Sequence, residues 1–224
     1  MLADFCPQVR MAADASGAYQ AGKAKDVVVI VDVIDMSTTL ECAMENGCLG
    51  IYGAASDHVK APVPTNPENI GFIAGKESVL KLVPIIVVAE PRWGTEKELK
   101  KNARRLVSGI EKAGGLIEKF IPNLGLSTVK LCDFQNKLVV AVTESGGTAF
   151  DAALNAGGFV LTGTIARTYR KKGIYPALSV AQRAVDAARL QKRNISVIAA
   201  SANSLEDVLG AQYITQKILE LLRT

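Results

Sequence analysis

The sequence is short of the residues on which several large classes of protein depend. Of its 224 residues, one is a histidine (His58) and one a tryptophan (Trp93). Four are cysteines, Cys6, Cys42, Cys48 and Cys132, and no two stand in C-x-x-C spacing. That count argues against the common zinc sites. The thiols are expected to be small, buried and reduced, as in a cytoplasmic protein. His58 stands in a loop beside Asp57, and a single histidine argues against Ser–His or Cys–His nucleophilic chemistry. Aromatic residues make up only 5% and are scattered, and the formal net charge is a mild +4 spread along the chain. No aromatic–basic ribbon for nucleic acid is present, and a small anionic ligand suits this balance better. Long apolar runs are also missing. Val27–Val31 and Ile85–Ala89 fall far short of the roughly 20 residues that a membrane-spanning helix needs. The start of the chain, with Asp4 and Arg10 around a weak apolar stretch, does not read as a signal peptide. A cytoplasmic protein without membrane or nucleic-acid partners is the expectation, and a homodimer is its default assembly.

What is present is an ordinary globular composition, 49% apolar and 21% charged. This excludes disorder and allows a core without staples. The length suits a single α/β domain over residues 1–224. Short β-branched runs alternate with amphipathic segments. Asp26–Ile34, Leu49–Ala54, Ile70–Ala74, Ile85–Ala89, Leu138–Val142, Phe159–Thr162 and Ile195–Ala200 read as strands buried on both faces. Strands of this kind separated by helices predict a three-layer αβα architecture with a mainly parallel sheet. Capping boxes at Thr38–Glu41 and Thr95–Glu98 open two of the helices. A last helix begins near Asn203 or Ser204. Residues 54–69, with Pro62, Pro64 and Pro67, read as an irregular loop, either a lid or a surface connection. No internal repeat is visible.

In such sheets ligands bind beyond the carboxyl ends of the strands, near helix N-termini. Polar residues gather at five such places. The first is Asp32-Val-Ile-Asp35-Met-Ser37-Thr38-Thr39. A carboxylate at the end of an apolar strand is costly unless paired or metal-bound, which makes Asp32 the foremost candidate. Ser37, Thr38 and Thr39 serve either as helix caps or as contacts to an anion. The second is Thr143-Glu-Ser-Gly146-Gly147-Thr148, either a phosphate cradle or a tight connection; it is not a Walker motif. The third is Thr162–Arg167, in which Arg167 could fork onto an anion or be a solvated helix end. The fourth is Ser201–Asp207, where Glu206 or Asp207 caps a helix or acts as ligand or base. The fifth is Glu90-Pro-Arg92-Trp93-Gly94, whose tryptophan could close a pocket or cover a helix. Carboxylates beside helix-start anion sites, without histidine or thiol pairs, suit Mg²⁺ and phosphate chemistry.

Three of these segments, in this order, resemble the 2-phosphosulfolactate phosphatase family of coenzyme M biosynthesis. They are Val28–Gly47 (VVIVDVIDMSTTLECAMENG), Thr143-Glu-Ser-Gly-Gly-Thr148 and Ser204-Leu-Glu-Asp-Val-Leu209. The resemblance implies an αβα fold, a Mg²⁺ cofactor and hydrolysis of a phosphate ester on a small sulfonated or carboxylated acid. Its motifs fall on Asp32, Ser37, Thr38, Thr39, Thr143, Gly147, Thr148, Glu206 and Asp207 of this chain. Joined with the reading of the residues, this gives Asp32, Asp35 and Glu206 as expected catalytic residues, Asp32 and Asp207 as metal ligands, and Ser37, Thr38, Thr39, Thr143, Gly146, Gly147, Thr148 and Arg167 as substrate contacts. Asp35 stands where the family has arginine, and Gly146 where it has asparagine. Arg92 and Arg167 are the candidates to supply the missing cation.

Overall fold

Val27–Val31 and Ile85–Ala89 are fully buried along their whole length. A strand can be apolar on both faces only if both faces are covered, and here helices cover them. The computed structural model describes residues 5–223. The elements are β1 (Val9–Ala13), α1 (Asp14–Lys23), β2 (Val27–Val31), α2 (Met36–Glu45), β3 (Gly50–Ala55), α3 (Pro67–Lys81), β4 (Ile85–Ala89), α4 (Glu96–Asn102), α5 (Arg104–Lys112), β5 (Ile117–Pro122), β6 (Leu138–Thr143), α6 (Gly146–Asn155), β7 (Phe159–Gly163), α7 (Tyr175–Gln191), β8 (Ile195–Ala199) and α8 (Leu205–Leu222). No described helix is long and apolar enough to cross a membrane.

The strands form two four-stranded sheets, ordered β1-β8-β2-β7 and β3-β6-β4-β5, and every pairing is parallel. Alternation along each strand sends one set of side chains inward and the other outward. Val28, Ile30 and Ile198 of the first sheet, and Ile86, Val88, Val139 and Ala141 of the second, meet one core built on α1, α2 and α6. Val27, Val29 and Val31 pack outward on α7 and α8. Ile85, Val87, Leu138 and Val140 pack outward on α3, α4 and α5. Each sheet is therefore the middle of an αβα sandwich, and the two sandwiches share their inner helical layer. Full burial of each Val or Ile contributes about 1.5–3 kcal/mol relative to exposure.

The two sheets are copies of one plan, an internal repeat that the sequence pattern does not disclose. Read backwards, the second sheet runs β5-β4-β6-β3, which matches β1-β8-β2-β7 when β2 corresponds to β6, β3 to β7 and β4 to β8. Helix α2 carries the chain from the first sheet to the second, and α6 carries it back. Both of these helices are followed by a left-handed glycine, Gly47 and Gly157. Helices α3 and α7 both end on a left-handed non-glycine residue, Leu82 and Lys192, at the same spacing along the chain. The repeat escapes a reading of residues because the copies share apolar periodicity but few identities.

Four local expectations are corrected. Ile70–Ala74 is helical, not a strand. Asn66 accepts the amide of Asn69 (3.1 Å) and Pro67 opens α3, a start signal that outweighs the β-branched run. The edge strands β1 and β5 were not anticipated, because their exposure is mixed. The helix expected from Thr38 starts at Met36 with Asp35 at its cap. The helix opened by the Thr95 capping box is short: it ends at Asn102, and α5 starts where Asp57 accepts the amide of Arg104 (2.8 Å). The cysteines are free thiols, but only Cys42 is buried and Cys6 is exposed.

Candidate functional site

Strands of both sheets end at one edge, where the N-termini of α2 and α6 lie side by side. Asp32, the residue after β2, joins them. Its Oδ1 accepts the Met36 N–H (3.3 Å) at the start of α2, and its Oδ2 accepts the Gly146 N–H (3.0 Å) at the start of α6. First-turn amides have no partner within their own helix and carry the positive end of its dipole, so they suit a carboxylate. Gly146 is required by this contact, since a Cβ there would lie 2.2 Å from Oδ2.

Other carboxylates gather round it. Asp207, buried in the first turn of α8, accepts the Val33 N–H (2.8 Å). Glu90, after β4, accepts the Glu144 N–H (3.1 Å). Burial, then the charges of Asp207 and Glu90, push Asp32 up to about 7; its two amide bonds offset this only in part. Glu90 is raised by burial and by Glu144 and Asp35, with His58 opposing. Asp35 is raised by burial, against the pull of Arg92, with which it forms an ion pair. Negative charge at this edge is thus under-compensated.

The hydroxyls expected to meet an anion face the protein instead. Ser37 donates to the Ile30 carbonyl (2.9 Å) and accepts the Asp32 N–H (3.1 Å). Thr38 donates to the Val33 carbonyl (2.7 Å) and lies 2.8 Å from the Thr164 hydroxyl. Thr39 donates to Asn123 (2.6 Å). Thr143 accepts the Gly147 N–H (2.7 Å), and Gly147 packs so closely that a Cβ would come 2.1 Å from the Ala54 carbonyl. The Thr148 hydroxyl is buried without a partner among the described residues. The amides of Met36, Gly146 and Gly147 are therefore taken by Asp32 and Thr143. Arg167 and Glu206 are exposed and have no partner among the described residues. Trp93 is almost fully exposed and covers no helix. A cleft of about 690 Å³ at the start of α7, lined by Arg170, Lys171, Lys172 and Tyr175 among others, stands apart, tied to Glu45 in the last turn of α2.

Three features were not legible beforehand, two at the edge and one in the middle of α2. His58 bridges Ser56 and Glu144. Asn123 braces α2 through Thr39. Arg183 reaches from α7 to pair with the buried Glu41 (2.6 Å). None has a local motif, because the contacts of His58 with Glu144, Thr39 with Asn123 and Arg183 with Glu41 each join segments distant in sequence.

No three His, Cys, Asp or Glu side chains among the described residues converge as a ready-made metal cage. Mg²⁺ does not need one, since it takes one or two carboxylates and keeps waters or phosphate oxygens for the remainder. Asp32 and Asp207, two oxygen donors in an edge short of positive charge, fit that ion and not a metal that wants nitrogen or sulfur. Neither a known protein-family model nor a curated protein sequence matches the chain.

Proposed function

We propose that this edge hydrolyses a phosphate ester of a small sulfonated or carboxylated acid, of the 2-phosphosulfolactate type, with Mg²⁺ as cofactor. One observation carries the reading. Asp32 is a buried carboxylate at a strand end, pushed up to about 7 by burial and by further carboxylates, which is the setting of a group that awaits a cation. Asp32 and Asp207 would hold the metal, which when bound polarises a phosphoryl oxygen and activates water. Met36 and Gly146 fix the Asp32 carboxylate through their amides. Arg92, half-exposed and anchored on Asp35, presents its remaining N–H groups to the acid group of the substrate. It stands in for the arginine that the resembled family has at position 35, and Arg167, after β7, is a second exposed cation. A cytoplasmic setting and a small anionic partner go with this reading.

Asp35, standing where the resembled family has arginine, favours a second reading, a non-catalytic small-anion-binding protein on the same scaffold. Phosphate release from 2-phosphosulfolactate and a panel of phosphorylated 2-hydroxy acids, with and without Mg²⁺, separates the two. Mg²⁺-dependent release that falls by about 10²-fold or more in Asp32→Asn, with an unchanged circular dichroism spectrum, is expected. Binding of the same esters without turnover would favour the second reading. Full activity in Asp32→Asn would remove the metal assignment.

A further inference from the structure

His58 is the single histidine of the chain, and it is held at both ring nitrogens. The Ser56 hydroxyl lies 2.9 Å from Nδ1 and a Glu144 carboxylate oxygen 2.8 Å from Nε2. Ser56 follows β3 and Glu144 follows β6. The third neighbour is Glu90 after β4, whose charge acts on the ring and whose carboxylate accepts the Glu144 N–H. Asp57 is turned away, accepting the amides of Arg104 and Arg105 on α5. The imidazole is half-exposed, while Ser56 beneath it is buried.

This arrangement lets the ring change charge without losing a contact. A carboxylate only accepts, so Nε2 carries a proton in either state. A hydroxyl both donates and accepts, so Ser56 can donate to a bare Nδ1 or accept from a protonated one. In the second case its own proton can turn to the Asn102 carbonyl, 3.5 Å away. Histidine is the side chain that gains and loses a proton near neutral pH. A ring of fixed orientation and variable charge is what general acid catalysis requires.

Its position relative to Asp32 follows from the β6–α6 turn. His58 sits on Glu144, and Asp32 sits on the amide of Gly146. Residues 144 and 146 are two steps apart, so their backbone positions lie within about 7 Å. The Glu90 carboxylate, which accepts the Glu144 N–H, acts on the charge of both Asp32 and His58, so the three groups belong to one edge. Glu144 is more exposed than the ring it holds, so an incoming oxygen can replace it on Nε2.

We propose that His58 is the general acid of this edge, giving its Nε2 proton to the leaving-group oxygen of the ester. The proposal rests on the phosphatase reading above. As the water oxygen bonds to phosphorus, the bond from phosphorus to the ester oxygen breaks and its electron pair stays on that oxygen. The His58 proton then completes the alcohol. The water's protons depart with the phosphate, and His58 recovers a proton from solvent.

The test compares two esters in the full-length protein with Mg²⁺. One is p-nitrophenyl phosphate, whose leaving group needs no proton. The other is phospholactate, whose alkoxide does. In H58Q, kcat on phospholactate should fall by about 10²–10⁴-fold. The fall on p-nitrophenyl phosphate should be at least ten times smaller. The pH profile of kcat on phospholactate should also differ between wild type and H58Q, while that on p-nitrophenyl phosphate should not. Equal losses on both esters, or none on either, would overturn the role of His58 and leave the phosphatase reading standing. Release from neither ester by the wild-type protein would overturn both. Should H58Q fail to fold, H58N reports instead, with the same selective loss on phospholactate expected. Equal losses on both esters in H58N would count against the proposal.

Discussion

The two repeats answer the same structural demand with different chemistry. The residue after β2 is Asp32, and the last residue of β6 is Thr143. Each accepts an amide four residues on, from Met36 in one copy and Gly147 in the other. A hydroxyl meets that demand without charge. A carboxylate meets it with a charge that must be buried beside Asp207 and Glu90. In the middle of α2 and α6 the same contrast recurs. Glu41 and Asp151 are both buried and both raised by burial. Glu41 is held by the Arg183 guanidinium and the Thr162 hydroxyl (2.9 Å). Asp151 is held without an ion pair, by the amides of Ala55 (3.2 Å) and Asn66 (2.6 Å) and by Asn155 (2.8 Å). One copy concentrates ionic groups and the other relies on neutral donors. A duplicated scaffold therefore yields one polarised edge and not two equal sites.

The largest effect that would sharpen this comparison concerns Asp32. Its folded value of about 7 lies above the ordinary 3.8. Between about pH 4 and 7 the folded protein holds a proton that the unfolded chain has lost, so stability falls as pH rises through that window. The loss can reach about 4 kcal/mol without a bound cation. Urea unfolding of the metal-free protein across that range should show the decline, and Asp32→Asn should flatten it. A Thr143→Val variant should keep the wild-type slope, because Thr143 does not titrate. An identical slope in wild type and Asp32→Asn would erase the electrostatic distinction between the two strand ends.

Next comes the pair of buried acids. Arg183→Leu leaves Glu41 buried with the Thr162 hydroxyl and the more distant Lys171 charge, and should cost about 3 kcal/mol or more at pH 7. Asp151→Asn keeps an accepting oxygen for one of its amides and should cost about 1–2 kcal/mol. Denaturation midpoints at equal slope measure both. Equal losses would mean that Glu41 gains nothing from its cation that Asp151 does not gain from amides.

The parallel αβα architecture was legible because strands buried on both faces leave continuous β-branched runs such as Val27–Val31. The prominence of Asp32 was legible for the same reason: a carboxylate at the end of such a run demands a partner. The doubling into two sheets was not, since Val27–Val31 and Leu138–Val142 look alike whether they lie in one sheet or two. Nor was the inward aim of Ser37 and Thr39. Hydroxyls at a helix start read equally as caps, ligand contacts or braces, and their partners Ile30 and Asn123 become neighbours only through the fold. His58 escaped for a third reason. Its partner Glu144 lies 86 residues away in sequence, so no spacing announces it.

The smallest effect isolates one hydroxyl. Thr38 and Thr148 are both the third residue of their helix. Thr38 binds the Val33 carbonyl and the Thr164 hydroxyl. At the spacing that relates Leu82 to Lys192, Ala54 stands in place of Thr164, and the buried Thr148 hydroxyl has no partner among the described residues. Exchanging threonine for valine keeps the shape and removes the hydroxyl. Thr38→Val should therefore destabilise by about 1–2 kcal/mol, because two polar groups lose a partner. Thr148→Val should stabilise by up to about 1 kcal/mol, because an orphaned polar atom is removed. Thermal unfolding of the two variants gives the signs directly. Assays with phosphate esters add a second readout. If Thr148→Val lowers stability as Thr38→Val does, the two helix starts are braced alike. If it leaves stability intact but weakens KM, the orphaned hydroxyl belongs to the substrate, and the neutral copy contributes to the site after all.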